Sequence, residues 1–207
     1  MPKNAKDIKD EKAKLVIGVD FDDVLFNFND SLHAYHNAKY GTSVERKDIA
    51  SYDIEKVWGC TPEEAARKVF EFYFAPDHDR TSIVAGAIEG VHKLKKDHEL
   101  HIISSRGDNI KDLTLRWIDQ NFPGYFKSVN LTNLYFGIAD RAHSKAEVCK
   151  KLGVDVMIED SLSQAEDVSS IGCKVILLDC PWNQGKLPDN VVRVYSWHEI
   201  VERIEKM

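Results

Sequence analysis

The sequence has little of what secreted or membrane proteins need. Its 207 residues include only four cysteines, Cys60, Cys149, Cys173 and Cys180, and these form no Cys-x-x-Cys pair. The first residues lack the apolar segment of a signal peptide, and the longest apolar runs, such as Val175 to Leu178, are far too short to cross a bilayer. We therefore expect reduced thiols, a cytoplasmic location and no membrane span.

An excess of positive charge is also absent. The chain has 28 Lys and Arg against 34 Asp and Glu, a net charge of −6, which argues against a surface built for a nucleic-acid polymer or an anionic membrane. No internal repeat or low-complexity linker is present. Since 43% of the residues are hydrophobic, the chain can build a sizeable core. We expect one domain, or one domain that contains a smaller inserted one.

Short apolar segments alternate with helical patterns through most of the chain. The first, Leu15 to Asp20, is rich in β-branched residues and predicts a strand buried on both faces. Further strands are predicted at Leu100 to Ser104, Ser128 to Leu131, Val154 to Ile158 and Lys174 to Leu178. Alternation of strands and helices predicts an α/β fold with a parallel sheet and helices on both faces.

The segment 27–84 interrupts this alternation, because it contains no convincing strand. Phe28 to Tyr40 predicts a helix that ends at Gly41, and Thr61-Pro62-Glu63-Glu64 predicts the start of another that runs to about Phe74. We therefore divide the chain into a charged tail at 1–14, a core of 15–26 and 85–207, and an inserted helical segment at 27–84.

Polar residues follow the predicted strands at the ends where parallel sheets bind ligands. Asp20 and Asp22 follow the first strand, Ser104-Ser105-Arg106 the second and Glu159-Asp160 the fourth, while Lys145 begins a helix capped by Ser144. Each group alone has a structural explanation as a turn, a helix cap or a solvated surface residue. Their joint occurrence at successive strand ends favours a functional site.

This set resembles the four signature motifs of the haloacid dehalogenase-like (HAD) superfamily, in its phosphatase branch, from Leu15 onward. The resemblance implies a Rossmann-like core with strand order 5-4-1-2-3 and a helical cap inserted where 27–84 falls. The Ser104-Ser105 doublet, the Ile-Glu-Asp-Ser motif and the small insertion are most similar to the cytosolic 5′(3′)-deoxyribonucleotidases. Asp23 departs from that group, in which many members have glycine, so its role and the substrate stay open.

The resemblance also implies roles for the carboxylates. Asp20 is expected to be the nucleophile that forms an aspartyl phosphate, and Asp22 the general acid and base. Mg²⁺ is the expected cofactor, bound by Asp20, the main-chain carbonyl of Asp22 and Asp160. Glu159 is expected to orient a metal-bound water.

Other residues are expected to contact the substrate. Ser104, Ser105 and Lys145 are the candidates for binding its phosphate oxygens. Trp58 and Phe70, in the inserted segment, are the candidates for contact with a flat base.

The sequence thus predicts a Mg²⁺-dependent phosphomonoesterase that acts on (deoxy)nucleoside monophosphates. A phosphatase of sugar phosphates or other small phosphoesters stays an alternative, as does a catalytically silent HAD-like binding module. A dehalogenase is disfavoured by Asp22, which that branch lacks. His33 and His36 share a helix face without a third ligand candidate nearby, so we expect no metal there. The oligomeric state is not indicated.

Overall fold

The computed structural model describes residues 13–51, 53–76, 78–134 and 142–207. Most of the predicted charged tail, residues 1–12, lies outside the described residues. The described part contains six strands, β1 (Val16–Val19), β2 (Glu99–Ser104), β3 (Ser128–Leu131), β4 (Val156–Glu159), β5 (Lys174–Leu178) and β6 (Val191–Val194). Its α-helices are α1 (Phe28–Tyr40), α2 (Ile54–Trp58), α3 (Pro62–Tyr73), α4 (Ala87–Asp97), α5 (Lys111–Asn121), α6 (Lys145–Leu152), α7 (Leu162–Ser170) and α8 (Trp197–Glu205). Short 3₁₀ helices lie at Arg46–Asp48, His78–Arg80, Asp108–Ile110 and Pro181–Asn183.

The six strands form one parallel sheet in the order β3-β2-β1-β4-β5-β6. The predicted α/β class and the order 5-4-1-2-3 of the first five strands are confirmed. β4 begins two residues later than predicted. β6 was not predicted, and it extends the sheet beside β5.

Side chains alternate between the two faces of the sheet, as the strand period requires. Ile17 and Val19 of β1 point into the larger core cluster, which contains Trp117 of α5 and Trp197 of α8. The other face carries Met157 and neighbouring apolar residues that pack under α6 and α7. Burial on both faces explains why the strands read as continuous apolar runs.

The inserted segment 27–84 is helical, and its described residues contain no strand. Its two ends lie side by side, because Phe26 and Ile83 form an antiparallel bridge and Val84 N donates to the carbonyl of Leu25 at 2.9 Å. The helix predicted to end at Gly41 does so, with Gly41 in the left-handed region at φ 69°. The assignment of 27–84 as a separate cap domain stays a prediction.

Helix α3 has two apolar faces rather than one. The stripe formed by Ala66, Val69, Phe70 and Tyr73 lies along a cavity. Phe72, which falls off that stripe, is only 4% exposed and packs against Phe28 and His78. Helix α3 is therefore covered on one face by its neighbours, while the other face borders the cavity.

The described residues contain no helix that is both long and apolar enough to span a membrane.

The contact between α4 and α8 gives a test of the packing. Gly90 lies in the middle of α4, and a Cβ at this position would lie 2.3 Å from Cε3 of Trp197. Alanine is the better helix former, yet here it must displace a buried indole ring. Gly90→Ala should therefore lower the free energy of unfolding by about 1–3 kcal/mol, measured by urea denaturation. Glu89→Ala, at the neighbouring exposed position, serves as the control and should change it little; a Gly90→Ala variant as stable as this control would contradict the packing.

Candidate active site

The carboxyl ends of β1 and β4 bring together three buried charged side chains. Lys145, at the first position of α6, lies with Nζ 2.7 Å from Oδ1 of Asp20 and 2.7 Å from Oε2 of Glu159. The exposed fractions of the three residues are 5% for Asp20, 1% for Lys145 and 0% for Glu159. The predicted cap at Ser144 is present, as a capping box that Ser144 forms with Glu147. Lys145 therefore begins α6 as expected. A buried cation thus joins the two strand ends.

Burial and neighbouring charges shift the ionisation of this group. Burial raises the pKa of Asp20 to about 7, with a further contribution from Glu159, and the charge of Lys145 opposes both. Burial alone would lower the pKa of Lys145, but the two carboxylates outweigh it and raise that pKa above its ordinary value. Lys145 therefore stays a cation at neutral pH.

Glu159 is fully engaged within the protein. Its Oε1 accepts hydrogen bonds from the main-chain N–H groups of Asp160 at 3.2 Å and Ser161 at 3.0 Å, while Oε2 accepts from Lys145. These bonds fix the orientation of Glu159 and shape the loop that carries Asp160. These bonds suit a residue that orients its neighbours. The expected role of Glu159 in orienting a metal-bound water stays a prediction.

Asp22 is paired with Arg106, which follows β2. Nε and Nη2 of Arg106 lie 2.9 and 2.8 Å from the two carboxylate oxygens of Asp22, and Nη1 donates to Thr114 at 3.0 Å. The guanidinium also lies 4.3 Å from the ring centroid of Phe21 and 5.3 Å from that of Tyr73. Arg106 thus binds a carboxylate of its own chain, and it connects α3 to the loop after β1.

The two serines after β2 have different surroundings. Ser104 is 1% exposed, and its Oγ accepts a hydrogen bond from the main-chain N–H of Arg106 at 3.3 Å. Ser105 lines the cavity, and its buried Oγ has no hydrogen-bond partner among the described residues. Of the two, Ser105 has the hydroxyl group that is placed to meet a ligand.

Asp23 joins the loop after β1 to the first turn of α1. It is 2% exposed and accepts hydrogen bonds from the main-chain N–H of Asn29 at 3.1 Å and from its side-chain amide at 2.6 Å. Its φ of 54° lies in the left-handed region that glycine adopts without strain. Asp23 thus contacts a residue of the inserted segment. Burial raises the pKa of Asp23 to about 8.

A divalent metal suits the carboxylates at the centre. Carboxylate oxygens of Asp20, Glu159 and Asp160 all lie within 4.8 Å of one another, and no other group of this kind occurs in the described residues. Hard carboxylate oxygens are the ligands that Mg²⁺ prefers. Because Glu159 already accepts three hydrogen bonds, Asp20 and Asp160 are the side chains best placed to bind the ion.

Two bonds to Asp160 come from a turn that the sequence analysis missed. The indole Nε1 of Trp182 donates to Oδ2 of Asp160 at 2.8 Å, and Nδ2 of Asn183 donates to its carbonyl oxygen at 2.7 Å. Both residues follow β5, whose carboxyl end lies at the same edge of the sheet. The residues that follow β5 in the sequence are the signal that could have predicted this contribution to the site.

A cavity of about 300 Å³ lies above these residues. Its polar floor comes from the strand ends and α6: Asp20, Asp22, Ser105, Arg106, Lys145, Glu159 and Asp160. Its apolar wall comes from the inserted segment 27–84: Phe28, Ile54, Pro62, Ala65, Ala66, Val69, Phe70 and Tyr73; Asp53 and Glu55 of the same segment also line the cavity. A ligand with one anionic end and one apolar end fits this division.

Of the two aromatic residues proposed for substrate contact, the structure places one at the cavity. Phe70 lines it, whereas Trp58 is not among the lining residues and stacks on His36 with centroids 4.0 Å apart and planes at 9°. The gain from burying two flat rings against each other explains this placement. Substrate contact by Trp58 stays a prediction that this cavity does not support, and Phe70 is the aromatic residue to test.

The fold and the site define a class of protein. A HAD-hydrolase of Bacillus subtilis, solved bound to magnesium, superposes with a TM-score of 0.62 at 14% identity, covering 93% of this chain and 99% of that one. This likeness shows that the chain has the HAD-like fold. The predicted fold family is thus confirmed.

The family follows from the sequence comparisons. The family model described as 5′ nucleotidase, deoxy (pyrimidine), cytosolic type C protein matches residues 14–207, so the chain belongs to this family and is a phosphate monoester hydrolase. A 5′(3′)-deoxyribonucleotidase of Bacillus subtilis strain 168 is 23% identical over 196 residues, covering 92% of this chain and 99% of the relative. A nucleotidase of Clostridium acetobutylicum is 24% identical over 171 residues, 83% and 84% of the two chains.

The raised pKa of Asp23 predicts how stability depends on pH. Without metal, the folded chain keeps Asp23 protonated up to about pH 8, whereas an unfolded chain releases that proton near pH 4. The folded state therefore binds more protons between these values, and its stability falls as pH rises through this window. Asp23→Asn cannot ionise, and its carbonyl can still accept from the N–H of Asn29.

We expect Asp23→Asn to gain stability relative to the parent chain from about pH 4 to about pH 8, with a constant difference above that window. Thermal or urea unfolding in EDTA across this range measures the difference. A stability difference that does not change with pH would show that Asp23 ionises normally in the folded chain.

Proposed function

We propose that this chain is a Mg²⁺-dependent 5′-nucleotidase that hydrolyses (deoxy)nucleoside monophosphates through an aspartyl phosphate on Asp20. The observation that carries the proposal is the polar floor of the cavity, where Asp20, Asp22 and Lys145 lie together beneath an apolar wall. Membership of the nucleotidase family supports the same substrate class.

In the first step, a carboxylate oxygen of Asp20 forms a bond to phosphorus as the bond from phosphorus to the alkoxide oxygen breaks. Asp22 supplies a proton to that oxygen. After this transfer Asp22 is a carboxylate, and Arg106 donates a hydrogen bond to each of its two oxygens. Arg106 therefore stabilises Asp22 after proton transfer and keeps it beside the reacting group.

In the second step, water attacks phosphorus and releases Asp20, and Asp22 accepts the proton of that water. Lys145 contacts Asp20 and, together with Ser105, is placed to bind the phosphoryl oxygens that carry the developing charge. When bound by Asp20 and Asp160, Mg²⁺ would neutralise the repulsion between the phosphate and the carboxylates.

The apolar wall supports a nucleoside as the remainder of the substrate. Ala66, Val69 and Phe70 present an apolar surface of α3 at the cavity, and Tyr73 continues it. A flat base can bury its faces against such a surface, which a sugar phosphate covered in hydroxyl groups cannot do without losing hydrogen bonds to water.

The nucleophile is tested by Asp20→Asn. Since an amide is a very poor nucleophile, the variant should lose detectable turnover and form no phosphoenzyme. The measurement is rapid acid quench of the enzyme with a radiolabelled deoxynucleoside monophosphate, followed by identification of the labelled peptide. Circular dichroism shows whether the variant is folded. Label on another residue of the parent enzyme, or substantial turnover by the folded variant, would refute Asp20 as nucleophile.

The substrate class is tested by Phe70→Ala. If Phe70 packs on the base, kcat/KM should fall by about 6- to 150-fold with a deoxynucleoside monophosphate, by analogy with stacking in nucleic-acid complexes, and little with glucose 6-phosphate. Trp58→Ala is the matched control, because Trp58 stacks on His36 away from the cavity, and it should affect both substrates alike.

The parent enzyme should also prefer nucleotides to sugar phosphates in kcat/KM. If sugar phosphates are hydrolysed as efficiently as every nucleotide tested, and Phe70→Ala does not distinguish them, the nucleotidase assignment is wrong and the alternative of a small-phosphoester phosphatase replaces it.

A further inference from the structure

The turn after β5 has a rigid framework that the proposed chemistry leaves unexplained. Asn183 is 0% exposed, and its Nδ2 donates to the carbonyl oxygens of Leu178 and Asp160, each at 2.7 Å. Its Oδ1 accepts from the N–H of Cys180 at 3.2 Å. Arg193, on β6, donates to both the side-chain and main-chain oxygens of Asn183. The turn is thus bonded to the ends of both β4 and β5.

This framework places the indole ring of Trp182. The ring is 8% exposed and packs with Cys180 and Ile49 in a small apolar cluster. On one side, the guanidinium of Arg46 lies 4.8 Å from the ring centroid, and Arg46 is itself paired with Asp30 at 3.0 Å. With its neighbours and its turn both fixed, the indole has little freedom to rotate, so the direction of its N–H is set before any ligand binds.

That N–H points at a carboxylate proposed to bind the metal. Nε1 of Trp182 lies 2.8 Å from Oδ2 of Asp160. Groups that donate hydrogen bonds to metal-binding carboxylates restrict the rotation of the carboxylate, and so reduce the entropy lost when an ion binds. The indole N–H is a donor only, so it cannot compete with the carboxylate for the ion.

We propose that Trp182 is a positioning residue for magnesium: its indole N–H holds the carboxylate of Asp160 in the orientation that binds the ion. The inference rests on the proposed function, which assigns Asp160 to the metal. It goes further by naming a residue, distant in sequence from the four motifs, on which the affinity for the cation depends.

Trp182→Phe removes the N–H donor and keeps an aromatic ring beneath Arg46. Its affinity for divalent cations should fall by about 10- to 100-fold. Binding is measured with Mn²⁺, from the electron paramagnetic resonance signal of the free ion, and with Mg²⁺ as competitor. In assays, the Mg²⁺ concentration for half-maximal activity should rise by a similar factor, while kcat at saturating Mg²⁺ should change only a few-fold.

Trp117→Phe is the matched control. Trp117 is also buried, and its Nε1 donates at 3.2 Å to the carbonyl oxygen of Thr81, which is not a proposed metal ligand. The Trp117→Phe variant loses an equivalent hydrogen bond and a similar side-chain volume, yet it should bind Mn²⁺ as the parent chain does. Equal losses in the two variants would overturn the inference, because they would reflect general loosening of the core. Unchanged affinity in Trp182→Phe would overturn it directly.

Two further proteins make the result decisive. If Trp182→Phe fails to fold, incorporation of the benzothiophene analogue of tryptophan at position 182 replaces the N–H with sulfur in a ring of nearly the same shape, and the same fall in affinity is expected. Asp160→Asn should bind Mn²⁺ far more weakly than the parent chain. If it binds equally well, the metal site of the proposed function is wrong, and the inference is refuted with it; a loss in Asp160→Asn alone refutes only the role of Trp182.

Discussion

The site depends on one buried cation between two carboxylates. Lys145 contacts both Asp20 and Glu159 at 2.7 Å in a region from which water is almost excluded. Without Lys145, two negative charges would share a low-dielectric site. Removing one member of a buried ion pair typically lowers the free energy of unfolding by about 3–5 kcal/mol. The contact therefore holds together the start of α6, the end of β1 and the end of β4. The same contact places the nucleophile proposed here beside a fixed positive charge.

Two arginines connect the inserted segment 27–84 to the polar floor of the cavity. Arg106 lies against Tyr73 of α3 while it binds Asp22. Arg46 lies over Trp182, which donates to Asp160. Arg106 thus links Tyr73 to Asp22, and Trp182 links Arg46 to Asp160. Direct contacts therefore join the inserted segment 27–84 to two carboxylates of the polar floor.

Much of the core could be predicted because its signals are local. The β-branched run before Asp20 and the Ser144 capping box depend on neighbouring residues, and the structure has both elements where they were expected. The strand β6 and the helix α8 were missed. Yet Ser196, which caps α8 by accepting from the N–H of Glu199, has the same Ser-x-x-Glu spacing. Short edge strands with mixed burial, such as β6, give a weaker pattern than strands buried on both faces.

The resemblance of its motifs indicated the HAD-like superfamily and the nucleotidase group, and the sequence by itself determined which residues stand at the strand ends. This is possible because periodicity and caps order the elements along the chain, and a parallel sheet then collects their ends at one edge. Only the tertiary structure decided the partners: Arg106 binds Asp22, Trp58 stacks on His36, and Trp182 donates to Asp160. Such contacts join residues far apart in sequence through a few ångströms of geometry, which no local pattern encodes.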